Sequence, residues 1–477
     1  MLFPTLTFAV FFLLVYPISW WLRWRQRPWK LFILAVSYIF YGFWDWRFVF
    51  LIIASTLVNG SLAYQIARDA ETRRKTTLQL ALVFNLGLLC VFKYYGFFIE
   101  SMNGLLRSTG LPTRLPFLEI ILPVGISFFT FQAISYVVDV YRKTIPPAPI
   151  LDVGVYLAFF PHVVAGPIVR AVEFLPQLPH PKPLSAEDAS RAALLIAQGM
   201  FKKVVISSYV ASAIVDPVFA VPGQYSGLEV LMAIYGYAVQ IYCDFSGYTD
   251  IAIGVALLLG IKFPQNFDRP YTAVSIQDFW RRWHMTLSRW LRDFLYIPLG
   301  GNRGGRWQTY RNLMLTMTLG GLWHGASMTF VAWGFYHGLG LAVERWLGEM
   351  RVARAPHGEK LAHDLAPWQV WLGRLLTFHF VCIGWVLFRA PSFATAVEVL
   401  QGAVTNWGPA PNVTAGLLLG IFGGLALQFI PDSFSQRLAV NYARLPIVLQ
   451  GAALGVFFAL TVALGPKGVA PFIYFQF

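Results

Sequence analysis

Two histidines in apolar surroundings are the residues of this sequence best suited to chemistry. His324 stands in a mostly apolar run, directly after Trp323 and close to Gly320, Gly321 and Gly325. Polar groups inside an apolar bundle are unfavourable, so they are functional candidates by default. Imidazole abstracts protons near neutral pH, and glycines allow a close approach to the backbone. The competing interpretation is a hydrogen-bonded core histidine.

The second histidine, His284, belongs to a segment rich in arginine and tryptophan. On a helix, one apolar face would carry Trp280, His284, Leu287 and Leu291. A neighbouring stripe would carry Arg281, Ser288 and Arg292. We therefore expect an amphipathic helix here. It is either an interfacial helix at the lipid headgroups or one wall of a reaction site.

Two histidines in one cavity could divide the work of acyl transfer. One would deprotonate an acceptor hydroxyl, while the other orients the substrate or stabilises the oxyanion. A metal site is a competing use of imidazole, but no cysteine or carboxylate stands at ligand spacing from His324. His337 falls on another face of a straight helix and is interpreted as structural. The residues alone leave acyl transfer as one possibility among several.

The elements that position these histidines must lie in a bilayer. Of the 477 residues, 57% are hydrophobic and 13% are charged, against about 45–50% and 25% in a soluble domain. This composition excludes soluble, disordered, collagen-like and disulfide-rich classes. The apolar runs predict about ten to twelve membrane segments. Breaks at 122–125 and 165–167 indicate either re-entrant elements or simple proline kinks.

The net charge of +14 is interpreted as a topology signal rather than a nucleic-acid footprint. The basic residues sit mostly in short loops, as expected for contact with anionic lipid headgroups. Loops 23–30 and 68–75 are basic, and the turn 45–47 between them is nearly neutral. This alternation predicts cytoplasmic basic loops and an extracytoplasmic N-terminus. No charge precedes the first apolar run, so it is expected to be a retained span rather than a signal peptide.

The stretch from Gln240 to His337 resembles the membrane-bound O-acyltransferase (MBOAT) family, in its bacterial alginate O-acetylation branch. The matching strings are YCDFSGYTD (242–250), FPQNFDRPY (263–271), FWRRWHMTLS (279–288), WLRDFLYIPLGGNR (290–303) and GGLWHGA (320–326). Strings at 122–129, 134–142, 160–167 and 472–477 also fit, so the resemblance spans nearly the whole chain. Met285-Thr286 is a small departure, since many relatives have Ile-Ser there.

The resemblance implies an all-α polytopic membrane protein with a ring of helices around a funnel or tunnel. Re-entrant and interfacial helices belong to this fold. One membrane domain is expected over 1–477. It would comprise peripheral N-terminal spans (1–100), a catalytic core (117–347) and C-terminal spans (369–477). The segment 347–368 is expected to be a solvated loop in which His357 and His363 have no role.

The resemblance also implies an activity. His324 matches the active-site histidine of the family, and His284 matches a second position that is Asn or Asp in many relatives. The acyl donor would be a cytoplasmic thioester, acetyl-CoA, with no permanently bound cofactor and no metal. The partners would be the bilayer of a bacterial inner membrane, an extracytoplasmic SGNH-type transferase and an exported polysaccharide such as alginate, cellulose or peptidoglycan.

Further binding residues become candidates in this context. Arg281, Arg282, Arg289 and Arg292 could hold the phosphates of CoA or face lipid headgroups. Asp244 and Asp250 are expected at a helix break, where they would shape the tunnel, hold the second histidine or satisfy nearby polar groups. The remaining candidates are Trp323, Ser288, Asn302 and His162, the last as a tunnel-lining residue.

Two other functions stay open. Teichoic-acid D-alanyl transfer shares the histidine, but that branch is less similar after Arg292-Asp293. A transporter with a proton-relay histidine is the alternative from another class, and the sequence shows no internal repeat of the kind such proteins contain.

Overall fold

The computed structural model describes residues 1, 3–111, 114–179, 181, 183–354, 366–466 and 473. Helices joined by loops and turns make up these residues, and no β-strand occurs among them. The expectation of an all-α protein is therefore confirmed. His357, His363 and the terminal string 472–477, apart from Ile473, lie outside the described residues.

Several helices are long and apolar enough to cross a membrane. Six pass by length and composition among the described residues, and a bent pair would make a seventh. The six are Trp46–Arg68, Glu71–Ser108, Ala186–Ala220, Gly227–Leu258, Pro367–Arg389 and Ile447–Leu464. This confirms the multi-pass class. Fewer spans pass than the ten to twelve predicted. Three further apolar helices of the described residues, Leu6–Leu22, Ile126–Tyr141 and Phe393–Thr405, are only 10–17 residues long, and the runs at 192–220 and 228–261 are not divided into two spans each.

The chain forms two compact units, and the first contains residues 1–196 and 249–264. Its own helices are α1 (Leu6–Leu22), α2 (Gln26–Gly42), α3 (Val49–Arg68), α4 (Glu71–Leu89), α5 (Tyr95–Ser108), α6 (Ile126–Tyr141), α7 (Ile150–Ala158) and α8 (Ala171–Phe174). Buried polar side chains pair inside this unit, as they must in an apolar core. The Asn85 amide donates to Asn59 Oδ1 at 2.6 Å, which joins α4 to α3.

The predicted break at 122–125 is a turn that starts a helix. Gly125 has φ +75°, and α6 begins at the next residue. A Cβ at Gly125 would lie 2.2 Å from the carbonyl oxygen of Val163. Only glycine fits such a conformation beside another backbone. The break is therefore not a proline kink within a continuous helix.

The second unit contains residues 197–248 and 265–477. Two helices run from one unit's sequence into the other's, α9 (Ala186–Met200) and α12 (Gly227–Leu258). The helices that lie wholly in the second unit are α10 (Ser208–Val210), α11 (Asp216–Ala220), α13 (Ile276–Arg282), α14 (Met285–Leu291), α15 (Arg306–His324), α16 (Met328–Arg354), α17 (Pro367–Arg389), α18 (Phe393–Thr405), α19 (Ala415–Ala426), α20 (Asp432–Ala443) and α21 (Ile447–Leu464). The assignment of 1–477 to one domain and the ring of helices stay predictions.

The helix break expected between Asp244 and Asp250 is absent, because α12 is continuous from Gly227 to Leu258. Gly247 suggested the break, but it has a packing role instead. A Cβ at this position would lie 2.7 Å from the carbonyl oxygen of Gly199. A glycine inside a helix often marks such a close approach, and here it lets another segment pack against α12.

The helical hairpin α15–α16 is the element that carries His324. Gly321 and Gly334 face the partner helix, where added Cβ atoms would lie 2.2 Å from Phe330 O and 2.3 Å from Met317 O. Small residues of this kind let two helix backbones approach closely in a membrane. The apolar run at 313–347 is thus two helices, separated at Gly325–Ser327.

Candidate active site

His324 is the last residue of α15, and only 5% of it is exposed. Three aromatic rings contact the imidazole edge to face: Trp323 at 5.0 Å, Trp333 at 5.1 Å and Phe388 at 5.3 Å between ring centroids. The helix ends here because Gly325 turns the chain into an extended conformation. A helix C-terminus carries partial negative charge, which favours the cationic imidazolium that a general base forms.

His324 lines a cavity of about 1000 Å³. Helices α13 to α16 and the turns between them build its walls. Five of the other sequence candidates line the same cavity, namely Arg281, Ser288, Arg289, Arg292 and Asn302. Sites for drug-sized ligands span about 300–1000 Å³, so this cavity can accept a substrate of that size.

The cavity wall is strongly cationic. It carries four guanidinium groups and one carboxylate, on Arg281, Arg289, Arg292, Arg345 and Glu344. Glu344 is already engaged, because it accepts a hydrogen bond from the backbone N–H of Ile276 at 2.7 Å. Arg281 makes no ion pair within the described part of the chain. Bidentate guanidinium contacts are the usual way to hold a phosphate or a carboxylate.

Arg292 is an exposed member of this wall and pairs with Asp293 at 2.7 Å. Hydrogen bonding to Asp293 raises the pKa of the Arg292 guanidinium. Arginine side chains stay protonated in proteins, so this group carries a positive charge.

His284 is completely buried and does not line the cavity. Its Nδ1–H donates to Asn266 Oδ1 at 3.2 Å, which makes Nε2 the basic nitrogen. Nε2 has no hydrogen-bond partner among the described residues. The Trp323 ring lies 6.1 Å from His284 and 5.0 Å from His324, so it contacts both imidazoles. The sequence suggested that the two histidines could share one cavity. In the structure only His324 lines it.

The amphipathic helix expected around His284 is interrupted at the histidine itself. Arg282 ends α13, Met285 begins α14, and His284 lies between them with φ +42°. Asn266 holds the turn, since its backbone oxygen accepts from Met285 N at 2.9 Å. Its Oδ1 also accepts from the hydroxyl of Thr286 at 2.8 Å. The expectation of one continuous helix is wrong because this neighbouring loop stabilises the break.

The other sequence candidates lie away from the cavity wall. Arg282 pairs with Asp278 at 2.8 Å. Asp244 pairs with the buried Lys203 and accepts from the backbone N–H of Ile473 at 2.9 Å. In the first unit, His162 Nε2 bonds the carbonyl oxygen of Tyr156 at 2.8 Å and its ring stacks on Phe263. Asp250 is half-buried on α12.

Some wall residues were missed by the sequence analysis. Trp333, Arg345 and Glu344 line the cavity, and Trp333 contacts His324. No motif spacing marks Trp333, because only the packing of α16 against α15 brings it to the histidine. His337, one turn further along α16, is fully buried and lies 4.9 Å from the Trp333 ring. Among the described residues, no group of three or more His, Cys, Asp or Glu side chains is placed to bind a metal.

Comparisons with known proteins identify relatives of this chain. Residues 144–384 match the family described as MBOAT, membrane-bound O-acyltransferase family. The probable alginate O-acetylase AlgI of Pseudomonas aeruginosa is 40% identical over 84% of this chain and 74% of its own length. The protein of the same name from Pseudomonas putida is 35% identical over the full length of both chains. The peptidoglycan O-acetyltransferase of Helicobacter pylori is 38% identical over 79% of this chain and 73% of its own length. Both histidines fall within the matched residues.

Proposed function

The chain belongs to the membrane-bound O-acyltransferase family and is an O-acyltransferase, and from this premise we propose that it acetylates an exported polysaccharide. Relatives named alginate O-acetylase and peptidoglycan O-acetyltransferase support an acetyl group and a polysaccharide acceptor. The proposed donor is acetyl-CoA on the cytoplasmic side of a bacterial inner membrane. The acetyl group reaches the polymer directly or through an SGNH-type partner outside the cytoplasm.

The observation that carries this proposal is the position of His324. Its imidazole lies in the wall of a cavity of about 1000 Å³ that also presents four arginines. Such a cavity can bind a thioester whose carrier bears phosphates, with its carbonyl near the histidine. Arg281 is the best placed phosphate ligand, because it is exposed, lines the cavity and pairs with no described carboxylate.

The proposed reaction needs one base and ends with that base neutral again. His324 accepts the proton of the acceptor hydroxyl while the hydroxyl oxygen attacks the thioester carbonyl carbon. The tetrahedral intermediate collapses, the carbon–sulfur bond breaks, and the thiolate takes the proton from the imidazolium. A general base of this kind contributes roughly 10²–10⁴-fold to the rate. In a covalent variant, the imidazole carries the acetyl group before the acceptor takes it.

His284 has an indirect role in this proposal. It is fully buried and outside the cavity wall, so it is not expected to contact the substrate. Through the Trp323 ring it supports the position of His324. We therefore assign it as a positioning residue.

The test compares His324→Ala with His379→Ala. His379 lies on α17 outside the cavity, with Nε2 2.8 Å from the Tyr235 hydroxyl. Both proteins are reconstituted in liposomes with labelled acetyl-CoA and an oligosaccharide acceptor, and membrane insertion is checked by detergent extraction and gel filtration. His324→Ala is expected to lose acetyl transfer by at least about 10²-fold, while His379→Ala retains it.

Two results would contradict the proposal. Acetyl transfer at the wild-type rate by His324→Ala would remove the histidine from the chemistry. Wild-type protein that ignores acetyl-CoA but transfers D-alanine from a carrier thioester would replace the proposed donor and acceptor.

A further inference from the structure

Trp333 stands beside the point where an acyl group must react. The imidazole of His324 is covered by the rings of Trp323 and Phe388. Neither of these rings lines the cavity, whereas Trp333 and Gly320 do. Trp333 is thus the aromatic ring of the cavity wall that touches His324, at 5.1 Å between centroids.

Trp333 is held firmly in this position. It is 1% exposed, and its ring stacks on Trp385 at 5.9 Å with an interplanar angle of 16°. Phe388 lies 5.2 Å away and His337 lies 4.9 Å away. Close-packed interiors give way little, so the indole cannot move aside without displacing these neighbours.

The reacting carbon must come close to the base. The attacking hydroxyl lies within about 2.6–3.2 Å of the base that deprotonates it. The carbonyl carbon lies a further ~3–3.5 Å away in a reactive complex. On the side of His324 that faces Trp333, the first carbons of the acyl chain would therefore meet the indole, whose centroid is 5.1 Å from that of the imidazole.

We propose that Trp333 forms the end wall of the acyl site and restricts the transferred group to acetyl. This inference rests on the proposed function and adds the residue that selects the size of the acyl group. A longer chain would meet the indole, which has no space to retreat. A smaller side chain at this position would open a volume bounded by Trp385 and His337.

The test measures donor selectivity rather than activity alone. Wild type, Trp333→Ala, Trp333→Leu and Trp333→Phe are assayed as full-length protein in liposomes with acetyl-, propionyl- and butyryl-CoA. One methylene in an apolar pocket changes kcat/KM by about 10–200-fold. We expect Trp333→Ala to raise the butyryl-to-acetyl ratio of kcat/KM by at least about 10-fold. Trp333→Leu and Trp333→Phe should give smaller rises.

Trp346→Ala is the matched control, since Trp346 lies on the same helix, is 44% exposed and does not line the cavity. Its selectivity should equal that of wild type. Gel filtration identifies the variants that fold, and the Leu and Phe variants carry the test if the Ala variant does not.

The inference is overturned if the folded variants lose acetyl transfer without gaining relative activity on longer donors. A wild type that uses acetyl-CoA but equally uses butyryl-CoA overturns it too. Wild-type protein that uses no acyl-CoA at all is a separate result, because it overturns the proposed function.

Discussion

At the residue scale, the two histidines differ in backbone conformation as well as in surroundings. His324 ends a helix, whereas His284 has φ +42°, in the left-handed region. Asn and Asp enter this region more easily than most residues, and β-branched residues do so with strain. The Asn or Asp implied by the family resemblance at position 284 therefore fits the same turn without a change in the backbone.

Because of this left-handed conformation, two substitutions of His284 should differ in their effect on stability. His284→Asn is expected to fold like wild type, with reduced kcat and little change in KM, because the turn persists while the support of Trp323 is lost. His284→Val should be less stable by roughly 1–2 kcal/mol from backbone strain. Thermal unfolding in detergent and acetyl-transfer kinetics measure the two effects. Equal melting temperatures for both variants would argue against the strained turn.

Residue types alone do not show which of two adjacent side chains faces the cavity, and Arg281 and Arg282 are an example. The sequence nominated Arg281 and Arg282 together as phosphate ligands. Adjacent residues on a helix point about 100° apart. The structure places Arg281 in the cavity wall and Arg282 against Asp278. Only the packing of α13 decides which of the two faces the cavity.

At the element scale, the hairpin α15–α16 decides the geometry around His324. Its two helices approach through Gly321 and Gly334. This contact brings Trp333 of α16 to the histidine at the end of α15. The sequence associated Gly321 with access to the histidine, but in the structure this glycine allows α15 and α16 to pack closely.

Larger side chains at the contact between α15 and α16 should disturb the site without touching His324. Gly321→Val or Gly334→Val is expected to destabilise the protein by about 1–3 kcal/mol through overpacking. Activity should fall further than stability because Trp333 moves relative to His324. Gly87→Ala in α4 is the control, since no atom lies within 4 Å of the added Cβ. Normal melting and full acetyl transfer by both valine variants would contradict the packing role.

At the scale of the whole molecule, the +14 charge and its placement predict the topology. The basic segments 23–30 and 68–75, which include the first turns of α2 and α4, should face the cytoplasm, and the turn 45–47 should face the other side. Such an orientation would leave the N-terminus outside and agrees with the cytoplasmic donor in the proposed reaction.

Single cysteines test this orientation. None of Cys90, Cys243 and Cys382 forms a disulfide, so they are first replaced by Ser or Ala to leave a background without native thiols. In this background, Arg47→Cys should react with an impermeant maleimide in intact spheroplasts, because Arg47 is well exposed. Lys75→Cys should react only after permeabilisation. The opposite pattern would reverse the predicted topology and the side from which the donor enters.

The sequence by itself determined the class of the protein and nominated two histidines for its chemistry. Composition dictates membrane helices, since so little polar surface cannot cover soluble cores. The match of motifs to the family nominated His324 and His284, because motifs consist of the type and order of residues, which the sequence contains in full.

Tertiary structure decided which of these residues meet. The sequence expected a break in α12 and a continuous helix through His284, and the structure shows the reverse. Both errors have the same physical reason. A glycine or a histidine takes its conformation from the backbone packed against it, and that backbone belongs to another segment of the chain, around Gly199 for Gly247 and around Asn266 for His284. The same reason hid Trp333, whose contact with His324 exists only because two helices pack at their glycines.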